Sequence, residues 1–256
     1  MSDRTPKPGV HPLDRPFAWS YSRLKNFETC PKRHLHLDIL KDIVEEESDA
    51  IQWGNYLHDR MAKAIGTDDN AKRNNRDKIT EEPLPDTLAQ YQPWVDRFRA
   101  PRESGAKVYV ERGLAITADF KPTMWFGLDV WFRCKVDVEV VSHDQRFAQA
   151  SDWKTGKRLD DAPQLALTAI TLMVHQPTLE AVRTEYVWLK EFTETNPFRC
   201  AERKMFTRQQ IPEMWSNLAP RVKVLEMAFK TKTFLPKPGP FCRRWCPVHT
   251  CEHHGK

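Results

Sequence analysis

The sequence predicts an α/β fold: a small mixed central sheet flanked by helices, with an N-terminal helical lobe and a Cys-rich closure at the C-terminus. Three observations carry it. Residues 107–114 alternate and residues 131–141 form an apolar, β-branched run, and a polar turn at 142–145 leads into a second short strand ending at Asp152. Segments with helical spacing of apolar residues lie on both sides of this block. The tail places Cys242, Cys246 and Cys251 within ten residues, a density that core packing does not call for.

At 256 residues the chain is long enough for one sizeable core, and a hydrophobic content of 40% with nine Trp argues for a folded globular protein. The net charge of +5 suits a nucleic-acid partner. No run of 18 apolar residues and no signal peptide is present, so a membrane partner is not expected and the expected location is cytoplasmic. Six Cys in an intracellular chain are thiols or metal ligands rather than disulfides.

The elements follow in order. Residues 1–18 read as a flexible arm. Ser20 or Ser22 caps a helix with Leu24 and Phe27 on one face, ended at Cys30-Pro31 because proline restricts the residue before it. Residues 53–62 form a second helix, in which Gly54, one turn before His58, lets another backbone come close. Residues 66–86 are polar and read as a loop, 88–98 as a helix broken at 101–105, and 107–114 as the first strand, with Glu111 either an outer partner of a metal site or an exposed acid. After the hairpin, Asp160-Asp161-Ala162-Pro163 starts a helix running to about His175. Residues 186–189 and 200–206 are further strands, with Cys134 and Cys200 as core residues on strands. Thr207 and Gln210 make a capping box for a long basic helix with Pro220 as a kink point.

The chemistry concentrates at Asp152-Trp153-Lys154. Strand residues i and i+2 share a face, so Asp152 and Lys154 point together and Trp153 packs on the other side. A carboxylate holds a hard divalent cation, and a lysine beside it can orient or deprotonate a water. Asp137 on the neighbouring strand converges on Asp152 at the open end of the hairpin, and two carboxylates with a lysine make a minimal Mg²⁺ or Mn²⁺ site for phosphodiester hydrolysis. The plainer alternatives are an ion pair at a strand end, Asp137 as a hairpin cap, and a solvated Glu139. The tail thiols read as a metal site wanting a fourth ligand, and His249 and His253 make a local zinc site one option.

Asp137 followed by Asp152-x-Lys154 resembles the core of the PD-(D/E)XK nuclease superfamily. Thr155-Gly156-Lys157 and the run Ser20-x-Ser22-x-Leu24-x-x-Phe27-x-x-Cys30-Pro31 are similar to its RecB-like branch. The resemblance implies a Mg²⁺- or Mn²⁺-dependent DNA exonuclease acting on single strands or ends, with Asp137, Asp152 and Lys154 catalytic. It implies a metal held by His58, Asp137, Asp152 and the Trp153 backbone carbonyl, with Lys154 orienting the attacking water. Gln164 matches the first residue of a Gln-x-x-x-Tyr motif, although Thr168 stands at the Tyr position, so Gln164 and Lys157 are implied to position DNA. One Cys before the motifs and three after resembles the 4Fe-4S RecB-like nucleases, including the CRISPR-associated exonuclease family, and implies a cluster on Cys30, Cys242, Cys246 and Cys251. The tail spacing, C-x₃-C-x₄-C, departs from the family's C-x₂-C-x₅-C, and Zn²⁺ is the alternative.

On this reading the chain divides into the arm (1–18), a helical lobe with the active-site His (19–106), a nuclease core (107–206), and a C-terminal helix with a Cys-rich metal-binding tail (207–256). DNA is the expected partner, and a recombination, repair or CRISPR-adaptation complex is compatible with the resemblance. Two rival readings stand: a non-catalytic DNA-binding or adaptor protein on the same fold, and a structure-specific endonuclease.

Overall fold

The computed structural model describes residues 9–45, 47–68, 79–159 and 162–256. The start of the expected arm, the middle of the expected loop at 66–86 and the helix start at Asp160-Asp161 lie outside the described residues. Six strands form one mixed sheet: β1 (Lys107–Ile116), β2 (Pro122–Thr123), β3 (Phe132–Val141), β4 (Phe147–Lys154), β5 (Ala181–Trp188) and β6 (Ala201–Thr207), in the order β2-β1-β3-β4-β5-β6. Among these six strands β4 and β5 are the parallel pair, and helix α5 (Ala162–His175) crosses over between them. The other helices are α1 (Tyr21–Thr29), α2 (Pro31–His34), α3 (Asp49–Ile65), α4 (Gln92–Arg99), α6 (Ile211–Thr231) and α7 (Phe241–Arg244).

Local chemistry accounts for the ends. Ser20, not Ser22, caps α1, its hydroxyl accepting from the Arg23 amide. The Thr207/Gln210 capping box is present, although it opens a short 3₁₀ turn that leads into α6, and Pro220 sits within α6. Cys134 lies on β3, but Cys200 precedes β6, buried in the core beneath α3 and α4. Among the described residues no helix is long and apolar enough to cross a membrane.

The sheet has a layer on each face. Leu57, Met61, Trp94 and Phe98 of α3 and α4 pack against Val108, Val110, Val138 and Trp153. Ala169, Leu172 and Met173 of α5 pack against Leu114, Val136, Ala148 and Ala150. Strand residues an even number apart share a face. Yet Val110 and Leu114 lie in opposite layers, as do Val136 and Val138. Both strands therefore change face at one place, between partners Val110↔Val138 and Arg112↔Val136, where Glu111 stands opposite Asp137. Glu111 has a left-handed backbone, φ 54°. For a non-glycine residue this conformation costs on the order of 1 kcal/mol or more and is found at functional sites.

A second irregularity lies beside it. The β3–β4 ladder stops at Val138↔Ser151, while β4 continues alongside β5 to Lys154↔Trp188. Farther along β3, at its start, the segment around Trp19 pairs with it: Trp19 N donates to Trp131 O and Arg133 N to Trp19 O, both at 2.9 Å.

Candidate active site

The face change and the strand divergence meet at one point. Glu111, Asp137 and His58 each offer a ligand atom there, all within 4.8 Å of one another, and this is the one such group of His, Cys, Asp or Glu among the described residues. His58 projects from α3 with Nδ1 3.4 Å from Asp137 Oδ1 and 3.9 Å from Glu111 Oε1, while its Nε2 lies 3.2 Å from the Trp153 carbonyl oxygen. Asp137 Oδ2 accepts from the Trp153 amide at 2.9 Å, replacing the ladder bond that ends where the strands part. Lys135, two residues before Asp137, pairs with Glu111.

Asp152 stands beside this group rather than in it. Its Oδ1 accepts from Gln164 Nε2 at 3.0 Å and its Oδ2 lies 2.6 Å from Lys154 Nζ. Trp153 packs on the opposite face, edge-on to Trp94 and Phe98. Gln164 is held in turn by the Tyr186 hydroxyl, which donates to its Oε1 at 3.2 Å. The tyrosine beside Gln164 thus comes from β5, while Thr168 bonds back to the Gln164 carbonyl. Lys157 is exposed beyond the end of β4.

The electrostatics follow from crowding three acids around one imidazole. Burial works to lower the His58 pKa, but Asp137 and Glu111 outweigh it and raise it to about 10. Burial also opposes the ionised Glu111, yet His58 and Lys135 hold it below the ordinary carboxylate range. Asp152 goes the other way: burial, then the charge of Asp137, push it up to about 6 against the pull of Lys154. An imidazole nitrogen, two carboxylates and a backbone carbonyl form a donor set that fits a divalent cation of the Mg²⁺ or Mn²⁺ type.

Three details differ from the sequence reading. Gly54 does admit a close neighbour, but a side chain rather than backbone: a Cβ there would lie 3.1 Å from Thr155 Oγ1. Glu139 is fully buried, not solvated, bonded to Arg112 at 2.6 Å and Gln176 at 2.7 Å. Glu111, left in sequence between an outer partner and an exposed acid, is one of the three grouped residues. Its only sequence signal was its place in the first strand, and Lys135 and Tyr186 gave none.

The cysteines are a separate matter. Cys30, Cys242, Cys246 and Cys251 are free and half-buried, and their sulfurs are not gathered into a ligand group. The segments that carry them do meet. Cys30 Sγ accepts from the Lys237 amide at 3.4 Å, Lys237 Nζ donates to Glu28 O at 2.7 Å, and Lys32 pairs with Glu252 at 2.7 Å.

The family model described as PD-(D/E)XK nuclease superfamily matches residues 18–251. The chain belongs to that superfamily. Among solved structures, this PD-(D/E)XK protein is similar to one from Eubacterium rectale provisionally named an exonuclease, at 12% identity and a TM-score of 0.46, covering 86% of this chain and 84% of that one. It is also similar to an alkaline exonuclease from Laribacter hongkongensis, at 14% identity and a TM-score of 0.33, covering 84% and 91%. Likenesses this distant carry no argument about activity. No curated protein matches the chain.

Proposed function

We propose that the protein is a Mg²⁺- or Mn²⁺-dependent deoxyribonuclease of the RecB-like type, acting as an exonuclease on single strands or ends. The observation that carries this reading is the grouping of His58, Glu111 and Asp137 beside Asp152-x-Lys154, within a nuclease superfamily. A non-catalytic binder has no need of a left-handed Glu111 or of a lysine held 2.6 Å from a half-buried carboxylate.

In this mechanism His58, Glu111, Asp137 and the Trp153 carbonyl would hold the cation, and Asp152 stands beside that group. A bound divalent cation supplies Lewis acidity and a more acidic water. The chain's own groups do the rest. Lys154 orients the attacking water and offsets charge developing on the phosphoryl oxygens. Gln164, braced by Tyr186, fixes Asp152 in the rotamer that faces the site. Exposed Lys157 attracts the neighbouring phosphate. End-labelled single-stranded, duplex and circular DNA with Mn²⁺ or with EDTA tests the reading. Loss of label from linear ends only is expected; cleavage of circles would make it an endonuclease, and no cleavage would leave a binder.

We further propose that Cys30, Cys242, Cys246 and Cys251 bind a structural metal, a 4Fe-4S cluster or alternatively Zn²⁺. What supports this is the docking of the Cys30 segment against the C-terminal segment. Among the described residues no three of these sulfurs gather into one ligand group, and no catalytic step is assigned to this centre.

A further inference from the structure

A cleft of about 410 Å³ opens between the segment before α1, the π-helical turn Leu35–Leu40 and the stretch 126–130. Arg15, Arg23, Lys41 and Arg133 line it, with Phe126 and Leu128 half exposed at its lip. Arg133 spends one donor on the Trp125 carbonyl, at 2.8 Å, and Arg23 touches the Ala18 carbonyl only at 3.5 Å. None of the four cations forms an ion pair among the described residues. The acid that lines the cleft, Asp38, is already engaged by His34 Nδ1 at 2.7 Å and Asn26 Nδ2 at 2.9 Å. Burial and then the charge of Arg23 lower the Arg133 pKa, as expected of two guanidiniums held near each other, although Asp38 also lies within reach of the Arg23 charge.

Such a pair is stabilised by an anion, and planar guanidiniums match phosphate in particular. Its position relative to the active site gives the anion a source. Arg133, Lys135 and Asp137 follow one another at two-residue steps along β3, so the cleft opens about 13 Å along the strand from the catalytic carboxylate at roughly 3.3 Å per residue. The lip residues offer apolar surface to a sugar or base.

We propose that this cleft is a phosphate-binding subsite for the nucleic-acid strand, gripping it a short run of nucleotides away from the metal group through Arg23 and Arg133. The proposal rests on the nuclease reading for its ligand. Affinity measured in EDTA separates the two, because it needs no catalysis. The probe is a short 3′-labelled single-stranded DNA, with a 5′-phosphate or a 5′-hydroxyl, titrated by fluorescence anisotropy across a salt series. The variant is Arg23→Gln/Arg133→Gln in the full chain.

A rise in Kd of about tenfold is expected. The slope of log affinity against log salt should fall by about 0.7 for each phosphate the variant no longer neutralises. A weakening confined to the 5′-phosphorylated strand assigns a terminal phosphate, and an equal weakening on both assigns the backbone. Unchanged affinity and slope on both strands would overturn the subsite, whatever the wild type does in Mn²⁺. Should the double variant fail to fold, Arg15→Gln/Lys41→Gln, at exposed positions of the same cleft, must lower the slope in the same direction or the proposal fails.

Discussion

Asp137 Oδ2 accepts the backbone N–H of Trp153 at 2.9 Å, so a side chain makes the bond that a strand partner would otherwise make. This one contact fixes Asp137 at the fork between β3 and β4 and orients the Trp153 carbonyl strand toward His58. The carboxylate is thus both a structural staple and a member of the candidate metal group.

The staple and the chemistry separate by mutation. Lys154→Ala removes a side chain outside the core and leaves the backbone pairing with Trp188 in place, and it should lower DNA cleavage on the order of 10²-fold or more, with the melting temperature nearly unchanged. Asp137→Ala should lower both, because it also leaves the Trp153 amide without its acceptor. Single-turnover rates beside thermal melts check this, and wild-type cleavage by Lys154→Ala would sink the catalytic assignment.

Glu111 and Glu139 lie on the same two paired strands but should fail differently. Glu111→Gln should weaken divalent-ion affinity by about 10- to 100-fold, as removal of metal-site groups does, and leave folding intact. Glu139→Gln strips the half-buried Arg112 of its fully buried counter-charge and should cost about 3 kcal/mol of stability. Metal titrations of activity and denaturant melts of the two variants distinguish them.

Metal uptake should release protons. His58, raised to about 10, carries a proton at neutral pH in the metal-free protein and must lose it to become a ligand. Calorimetry of Mn²⁺ binding in buffers of different ionisation enthalpy should register close to one proton per ion near pH 7. No buffer dependence would remove His58 from the ligand set.

Asp152 gives a second pH signature, in stability. Its carboxyl titrates near 3.8 in an unfolded chain and at about 6 in the folded one. The folded state therefore holds the extra proton between those values. The resulting stabilisation is full below about 3.8 and is lost as pH rises through about 6. In EDTA, Asp152→Asn should remove this limb from a plot of melting temperature against pH.

The cysteines make the last test. Anaerobically purified protein should be brown, with about four iron atoms, if the centre is a 4Fe-4S cluster. Cys30→Ala or Cys246→Ala should then lose metal and thermal stability together. Colourless protein with one zinc, unaffected by Cys30→Ala, would place the metal on the tail thiols and a histidine.

The sequence by itself determined a good deal: the α/β class, the hairpin carrying Asp137 and Asp152, the inward pairing of Asp152 with Lys154, a serine cap at Ser20 or Ser22 and the capping box at Thr207. These depend on residue periodicity and on contacts a few positions apart, which a linear reading contains. The tertiary structure decided which groups meet. Alternation along β1 and β3 cannot announce the face change at Glu111, because it arises from one left-handed residue and from a partner strand, not from the pattern of either strand. The same break brought Glu111 into the site, while α5 and β5 drew Asp152 toward Gln164 and Tyr186. Glu139 and Glu111 look alike in sequence, each an acid in an apolar strand. Only packing against Arg112 and Gln176 on one face and His58 on the other gives them different work.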